Sequence, residues 1–310
     1  QIISYLLYFL FLCIFFKDID QKYLFLLAIF SPIFFFFSLA EIEALGRKDI
    51  YMFVIFIGNL LLYEKYHNLS YNYFYFFITF PIMFLTHEIY IIYIPYFITF
   101  FLLYEKKIKL VESFKISIIL IYVIFFIYLI NSIEFSSKNL EQLCENLLLK
   151  KNEECGLAPY SMVIDLAKYR SEVAWQYTHI IRYILFFLVG SSALIILIFF
   201  SKFKKETYNI LHKKINLQLI YLLLFIPSLL PFISAVDSGR YLSMLYTFPC
   251  LLFFSLYKNK LIIIDFEKIK TKFNFIHFKN KAILVLFFIV MCFTWSPKAV
   301  YHEDTASIPI

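Results

Sequence analysis

The sequence predicts an all-α fold: a polytopic transmembrane helix bundle of about ten spans with one extracytoplasmic helical loop. Three observations predict it. Of 310 residues, 62% are hydrophobic and only 16% charged, against about 45–50% and about 25% in soluble domains. The apolar residues run in continuous blocks and do not alternate, which argues against a β-barrel. Lys and Arg concentrate in a few short loops between those blocks. The same composition excludes a disordered chain, a collagen and a disulfide-rich secreted module. Phe and Ile carry the hydrophobicity as much as Leu does.

A span takes roughly 20 apolar residues, fewer where interfacial aromatics cap it. The blocks are 1–16, 23–40, 50–63, 71–86, 89–104, 116–133, 180–201, 216–235, 241–257 and 282–297. The third to fifth are short. The chain opens on Gln1 inside an apolar run, so the first span reads as truncated. Without a basic leader or a small-residue cleavage site, residues 1–16 do not read as a signal peptide. The spans divide one integral membrane domain into an N-terminal bundle, 1–133, a loop, 134–179, and a C-terminal bundle, 180–310.

Orientation follows the basic loops. Loops 104–115, 202–215 and 258–281 hold four, five and seven Lys. Alternation adds 17–22 and 64–70 to the same side, collecting 19 of the 29 Lys and Arg. That side is the cytoplasm. Loops 17–22 and 41–49 carry two basic residues each and do not discriminate, so the first three spans are the least constrained. The net charge of +7 is therefore topological. No basic soluble domain exists to bind nucleic acid.

The opposite face receives 41–49, 87–88, 134–179, 236–240 and the tail from 298. In 134–179, Cys144 and Cys155 are separated by ten residues and would pair on an oxidising face. Met162, Leu166, Tyr169 and Val173 recur at helical spacing, with Lys168 and Glu172 at i,i+4. With Trp175 and Tyr177 at its end, such a helix suits a membrane surface. No internal repeat stands out, so an inverted-repeat transporter finds no support.

Ionisable residues within or beside apolar spans are costly and mark functional candidates. Three compact clusters share the predicted outer face. In EIEALGRKD, 41–49, Glu43 and Arg47 are i,i+4, while Arg47, Lys48 and Asp49 open the next span. Arg47 and Lys48 suit a phosphate. Thr86-His87-Glu88 interrupts a 33-residue apolar stretch midway between Pro81 and Pro95. A half-buried Glu88 sharing a proton with His87 is the pairing that acid–base chemistry uses. The third cluster is Asp237-Ser238-Gly239-Arg240, where Asp237 and Arg240 face each other across a tight turn. Arg182 sits a turn into its span, either snorkelling outward or completing an anion site with Arg47 and Arg240. Each cluster also reads as a charged loop, a polar turn or a hairpin salt bridge.

Cys13, Cys250 and Cys292 lie in spans and read as small apolar residues. HEIYI lacks the second His of a zinc-protease motif, and no spacing suits a metal. No glycine-rich phosphate loop is present, so no cofactor is expected.

The order GRKD, then an intramembrane HE with Pro seven residues later, then D-x-G-R, resembles bacterial multi-spanning proteins of the EpsG and O-antigen-polymerase (Wzy) type. The resemblance covers most of the chain in topology and about a dozen residues in motif. It implies glycan transfer or polymerisation outside the membrane from a polyprenyl-pyrophosphate-linked donor. Glu88 or His87 would be the acid–base group, and Arg47, Arg240 and Arg182 would hold the pyrophosphate. The chain departs from such polymerases in its short length and single long outer loop. Its expected partners are the lipid-linked glycan, membrane lipid and other polysaccharide-assembly proteins. The alternatives are a transporter or flippase of a lipid-linked or anionic solute, and a non-enzymatic component of an envelope assembly complex.

Overall fold

The computed structural model describes residues 2–20, 22–34, 49–86, 88–105, 110–132, 142, 144–146, 149, 177–204, 216–234, 238–273, 281–297 and 306–307. Every apolar block contains a helix. They are α1 (Ile2–Phe16), α2 (Tyr23–Ile29), α3 (Asp49–Tyr66), α4 (Leu69–Thr86), α5 (Ile94–Tyr104), α6 (Leu110–Asn131), α7 (Tyr177–Phe199), α8 (Leu217–Ser228) with α9 (Leu230–Ser234), α10 (Ser238–Lys258) and α12 (Lys281–Phe293). A 3-10 turn, Glu88–Tyr93, precedes α5, and α11 (Phe266–Lys272) lies within loop 258–281.

The fold is mostly helical, with two amendments to the all-α expectation. Two short antiparallel ribbons are present: β1 (Ser201–Phe203) with β2 (Ile262–Ile264), and β3 (Ser296–Pro297) with β4 (Ala306–Ser307). Among the described residues, one helical stretch, Ile181–Phe199, is long and apolar enough by itself to cross a membrane. Apolar runs of 10–17 residues in α1, α6, α8–α9, α12 and the turn leading into α5 are shorter.

Local chemistry marks the ends of two of these helices. Ser31-Pro32 follows α2, and the residue before a proline is pushed out of the helical region. Block 23–40 is therefore helical only over Tyr23–Ile29 among its described residues. The Ser31 hydroxyl donates to the Gly190 carbonyl at 2.7 Å. This docks the end of α2 on α7, where a Cβ at Gly190 would meet Ile33 at 3.0 Å. Pro227 and Pro231 divide α8 from α9.

The α3–α4 hairpin has its own signals. His67 adopts φ 49° and its N–H returns to the Tyr63 carbonyl, a left-handed helix end. The Asn68 side chain then accepts from the Ser70 N–H at 2.9 Å and caps α4. Farther along the hairpin, buried Asn72 donates to the Asn59 carbonyl and side chain at 2.6 and 3.0 Å. Gly58 brings α3 close to α4, because a Cβ there would lie 2.6 Å from the Tyr75 hydroxyl.

Described residues of all five loops assigned to the basic side meet at one end of the bundle. Tyr257 donates to Asp20 at 2.9 Å, and Lys22 lies 4.1 Å from the Phe266 ring centre. Asn259 donates to the Tyr104 hydroxyl at 3.2 Å. The β1–β2 ribbon joins 202–215 to 258–281. The Tyr257 hydrogen bond and then Lys22 hold the exposed Asp20 carboxyl below its ordinary range. Hydrogen bonds from the Lys268 side chain and backbone do the same for Asp265, which caps α11.

Lys258 is the hub of this end. It reaches Glu64 at 2.7 Å and the Phe15 carbonyl at 2.6 Å. It thus serves the C-termini of α1, α3 and α10, where a cation suits the helix dipole. Lys258→Met leaves Glu64 half-hidden without its counter-charge. The expected loss is at the lower end of about 3–5 kcal/mol, because both side chains keep some exposure. It should appear as a lowered thermal midpoint of the purified full chain, largely restored by adding Glu64→Leu. An unchanged midpoint in the single variant would make the hub dispensable.

Candidate functional site

At the opposite end, Asp49 is the first residue of α3 and Arg240 stands in the first turn of α10. A carboxylate suits a helix N-terminus, whereas a cation there is opposed by the same dipole. Arg240 therefore needs a counter-charge, and Asp49 supplies it. Arg240 Nε lies 3.1 Å from Asp49 Oδ2, with the side chains 8% and 9% exposed. Desolvating both charges is expensive, and the remaining polar atoms must be held as well.

Neighbouring tyrosines hold them. Tyr90, on the 3-10 turn, donates to Asp49 Oδ1 at 3.1 Å. Arg240 Nη2 donates to the Tyr241 hydroxyl at 2.8 Å, and the guanidinium lies 4.9 Å from that ring's centre. Phe232 packs edge-on against Tyr241.

An aromatic layer forms the floor. Phe248 lies about two turns along α10 from Arg240, and Tyr93, Phe56, Tyr96 and Phe53 pack on it at 4.9 to 5.6 Å between ring centres. The Tyr96 hydroxyl pairs with that of Ser228 at 3.3 Å. The buried Tyr93 hydroxyl has no hydrogen-bond partner among the described residues and interacts electrostatically with Asp49, Arg240 and Tyr241.

Of the sequence-derived candidates, the structure brings together Asp49 and Arg240, 191 positions apart. The expected contact of Arg240 with Asp237 falls on a residue outside the described ones, as Arg47, Lys48 and His87 also are. Glu88 opens the turn that carries Tyr90, so its backbone is two residues from the Asp49 contact. Arg182 is exposed on α7, with Tyr183 buried beside it. Cys144 is disulfide-bonded; Cys155 and most of 134–179 lie outside the described residues. Cys13, Cys250 and Cys292 are free thiols, the last two buried. No metal-binding group of three or more His, Cys, Asp or Glu occurs among the described residues.

Tyr90, Tyr93 and Tyr241 were not singled out by the sequence. Each adjoins a charged cluster, but 25 tyrosines in the chain give no contrast. Compared with family models, curated proteins and solved structures, the chain finds no match in any of the three, and its reading rests on its own geometry.

Proposed function

We propose that this chain is an integral protein of the bacterial plasma membrane that transfers or polymerises glycans at its extracytoplasmic face, from a polyprenyl-pyrophosphate-linked donor. The distribution of side chains supports the membrane part. Large apolar residues are exposed along α6, α7, α8 and α12, among them Ile121, Leu188, Leu222 and Leu286. The charged pair and both hairpin asparagines are buried. Water-soluble proteins distribute these groups the other way. Arg240 and Lys258 stand eighteen residues apart on α10, about 27 Å along the axis. That approaches the roughly 30 Å of a hydrocarbon core.

The observation that carries the functional reading is the Asp49–Arg240–Tyr90 contact. It joins three polar segments at one end and sets the N-termini of α3 and α10 side by side. Two positive helix ends and an oriented guanidinium favour an anion. Arg47 and Lys48 immediately precede Asp49 in the chain and extend that positive character. Glu88 would take the proton of an acceptor hydroxyl, with His87 sharing it. The acceptor oxygen bonds to the anomeric carbon as the carbon–phosphate oxygen bond breaks. The pyrophosphate leaves with the electron pair, stabilised by Arg47, Arg240 and Arg182.

One observation favours a second reading. The depth of Arg240, 8% exposed and already paired, suits a structural clamp in a non-enzymatic component of an envelope complex.

Two variants separate the readings. Glu88→Gln should abolish glycan chain extension in cells while protein level and membrane insertion stay normal; wild-type polymer would remove Glu88 from the chemistry. Asp49→Leu/Arg240→Met replaces the ion pair by apolar groups, an exchange that leaves stability unchanged or raised by about 1–4 kcal/mol. The catalytic reading expects a folded protein with chain extension reduced about ten- to a hundredfold, the worth of charge-assisted hydrogen bonds. Full activity would assign the pair to the clamp alone.

A further inference from the structure

At the basic end, an open pocket of about 400 Å³ lies between the ribbon and α11. Its apolar side is Phe199 and Phe200, where α7 ends; its polar side carries Lys202, Lys268 and Lys272, with Asp265. Lys268 and Lys272 are four apart on α11 and so share a face, a spacing at which like charges repel. Lys202 comes from the middle of β1. Asp265 lies 3.0 Å from Lys268 and offsets one of the three charges. Lys272 sits 5.9 Å from the Phe200 ring centre. The pocket thus places surplus positive charge directly against an apolar wall.

That wall continues. Ile184, Leu188, Ile195 and Phe199 are all exposed on α7. Their spacings of four, seven and four residues put them on one face, so an apolar stripe runs along α7 from Ile184 and ends in the lysine pocket. The described ligand chemistry is amphiphilic: a phosphate for the ammonium groups and an acyl chain for the stripe. We propose that this pocket is a specific site for the headgroup of an anionic glycerophospholipid, whose acyl chain lies along α7. The site is remote from the Asp49–Arg240 cluster, because α10 runs from one to the other. It rests on the membrane reading and is independent of the glycosyl-transfer reading.

The test uses the full chain purified in a non-ionic detergent and native mass spectrometry with added phosphatidylglycerol or phosphatidylcholine. Phosphatidylglycerol should be retained at least about tenfold more, given the pull of a lysine near an anionic surface. The triple variant Lys202→Gln/Lys268→Gln/Lys272→Gln should lose that preference, while Lys65→Gln, an exposed lysine outside the pocket, should keep it. Should the triple variant not fold, rising salt must erase the wild-type preference, as screening requires. Equal retention of the two lipids, or a preference intact in the triple variant, overturns the proposal. Displacement of the lipid by inorganic phosphate alone also overturns it, in favour of a free-anion site. A chain that stays in solution without detergent would sink the membrane reading itself, whereas a detergent-dependent chain indifferent to headgroup sinks only this inference.

Discussion

The Asp49–Arg240 ion pair sets the geometry on which the other contacts depend. Arg240 lies at the end of α10 where the helix dipole repels it, and it is buried. Only a carboxylate within contact makes that position tolerable. Because Asp49 is the first residue of α3, the pair sets the starts of α3 and α10 level, and the contact at their other ends shows that they run in the same direction. Their far ends then carry Glu64 and Lys258 into contact, fifteen and eighteen residues along. The long side chains of that second pair bridge the difference in helix length. Two helices separated by most of the sequence are thereby fastened at both ends, and α1 joins through the Phe15 carbonyl.

Between the two fastenings the bundle is apolar and aromatic. Phe248 of α10 meets Phe53 and Phe56 of α3, and Tyr93 and Tyr96 beside and within α5. Aromatic rings bury large areas and accept tilted or edge-on neighbours. A chain with 41 Phe and 25 Tyr can therefore fill the space between short helices. The polar groups that remain inside answer one another locally: Asn72 with Asn59, Tyr104 with Ser255, and Thr247 with the Ser243 carbonyl. Outward-facing positions of α7 beyond Arg182, and those of α8, have no such need and are mostly apolar.

Helix positions were legible because block hydrophobicity is a local property, and each apolar block contains a helix. The grouping of loops was legible too. Lys counts place 104–115, 202–215 and 258–281 together and alternation of spans adds 17–22 and 64–70; Tyr257–Asp20, Lys258–Glu64, Asn259–Tyr104 and β1–β2 join described residues of the same five segments. The extent of α2 was not, since hydropathy ran on through 40 while Ser31-Pro32 ends the helix locally. The ribbons were hidden because three-residue strands carry no periodicity. In the candidate site, Asp49 and Arg240 were visible as charges in apolar surroundings, but their mutual contact was not. Sequence spacing proposes neighbours such as Asp237 and Arg240; only tertiary packing brings residue 49 to residue 240. Tyr90 and Tyr241 were invisible for another reason: a tyrosine among so many reads as bulk until its hydroxyl is placed.

A buried ion pair is a poor device for stability alone, because apolar groups of similar volume serve as well or better. What the pair adds is direction. A charged contact that forms only when α3 and α10 start together discriminates against slipped arrangements that an all-aromatic interface would tolerate. Register alone, however, needs one partner for Arg240. The site has Asp49, Tyr241 and Tyr90 converging and two helix N-termini alongside. Each additional buried polar atom raises the desolvation cost without tightening the register further. The proposed transfer chemistry would give that surplus a use: a guanidinium held in orientation by its own protein partners would meet an arriving anion without further reorganisation.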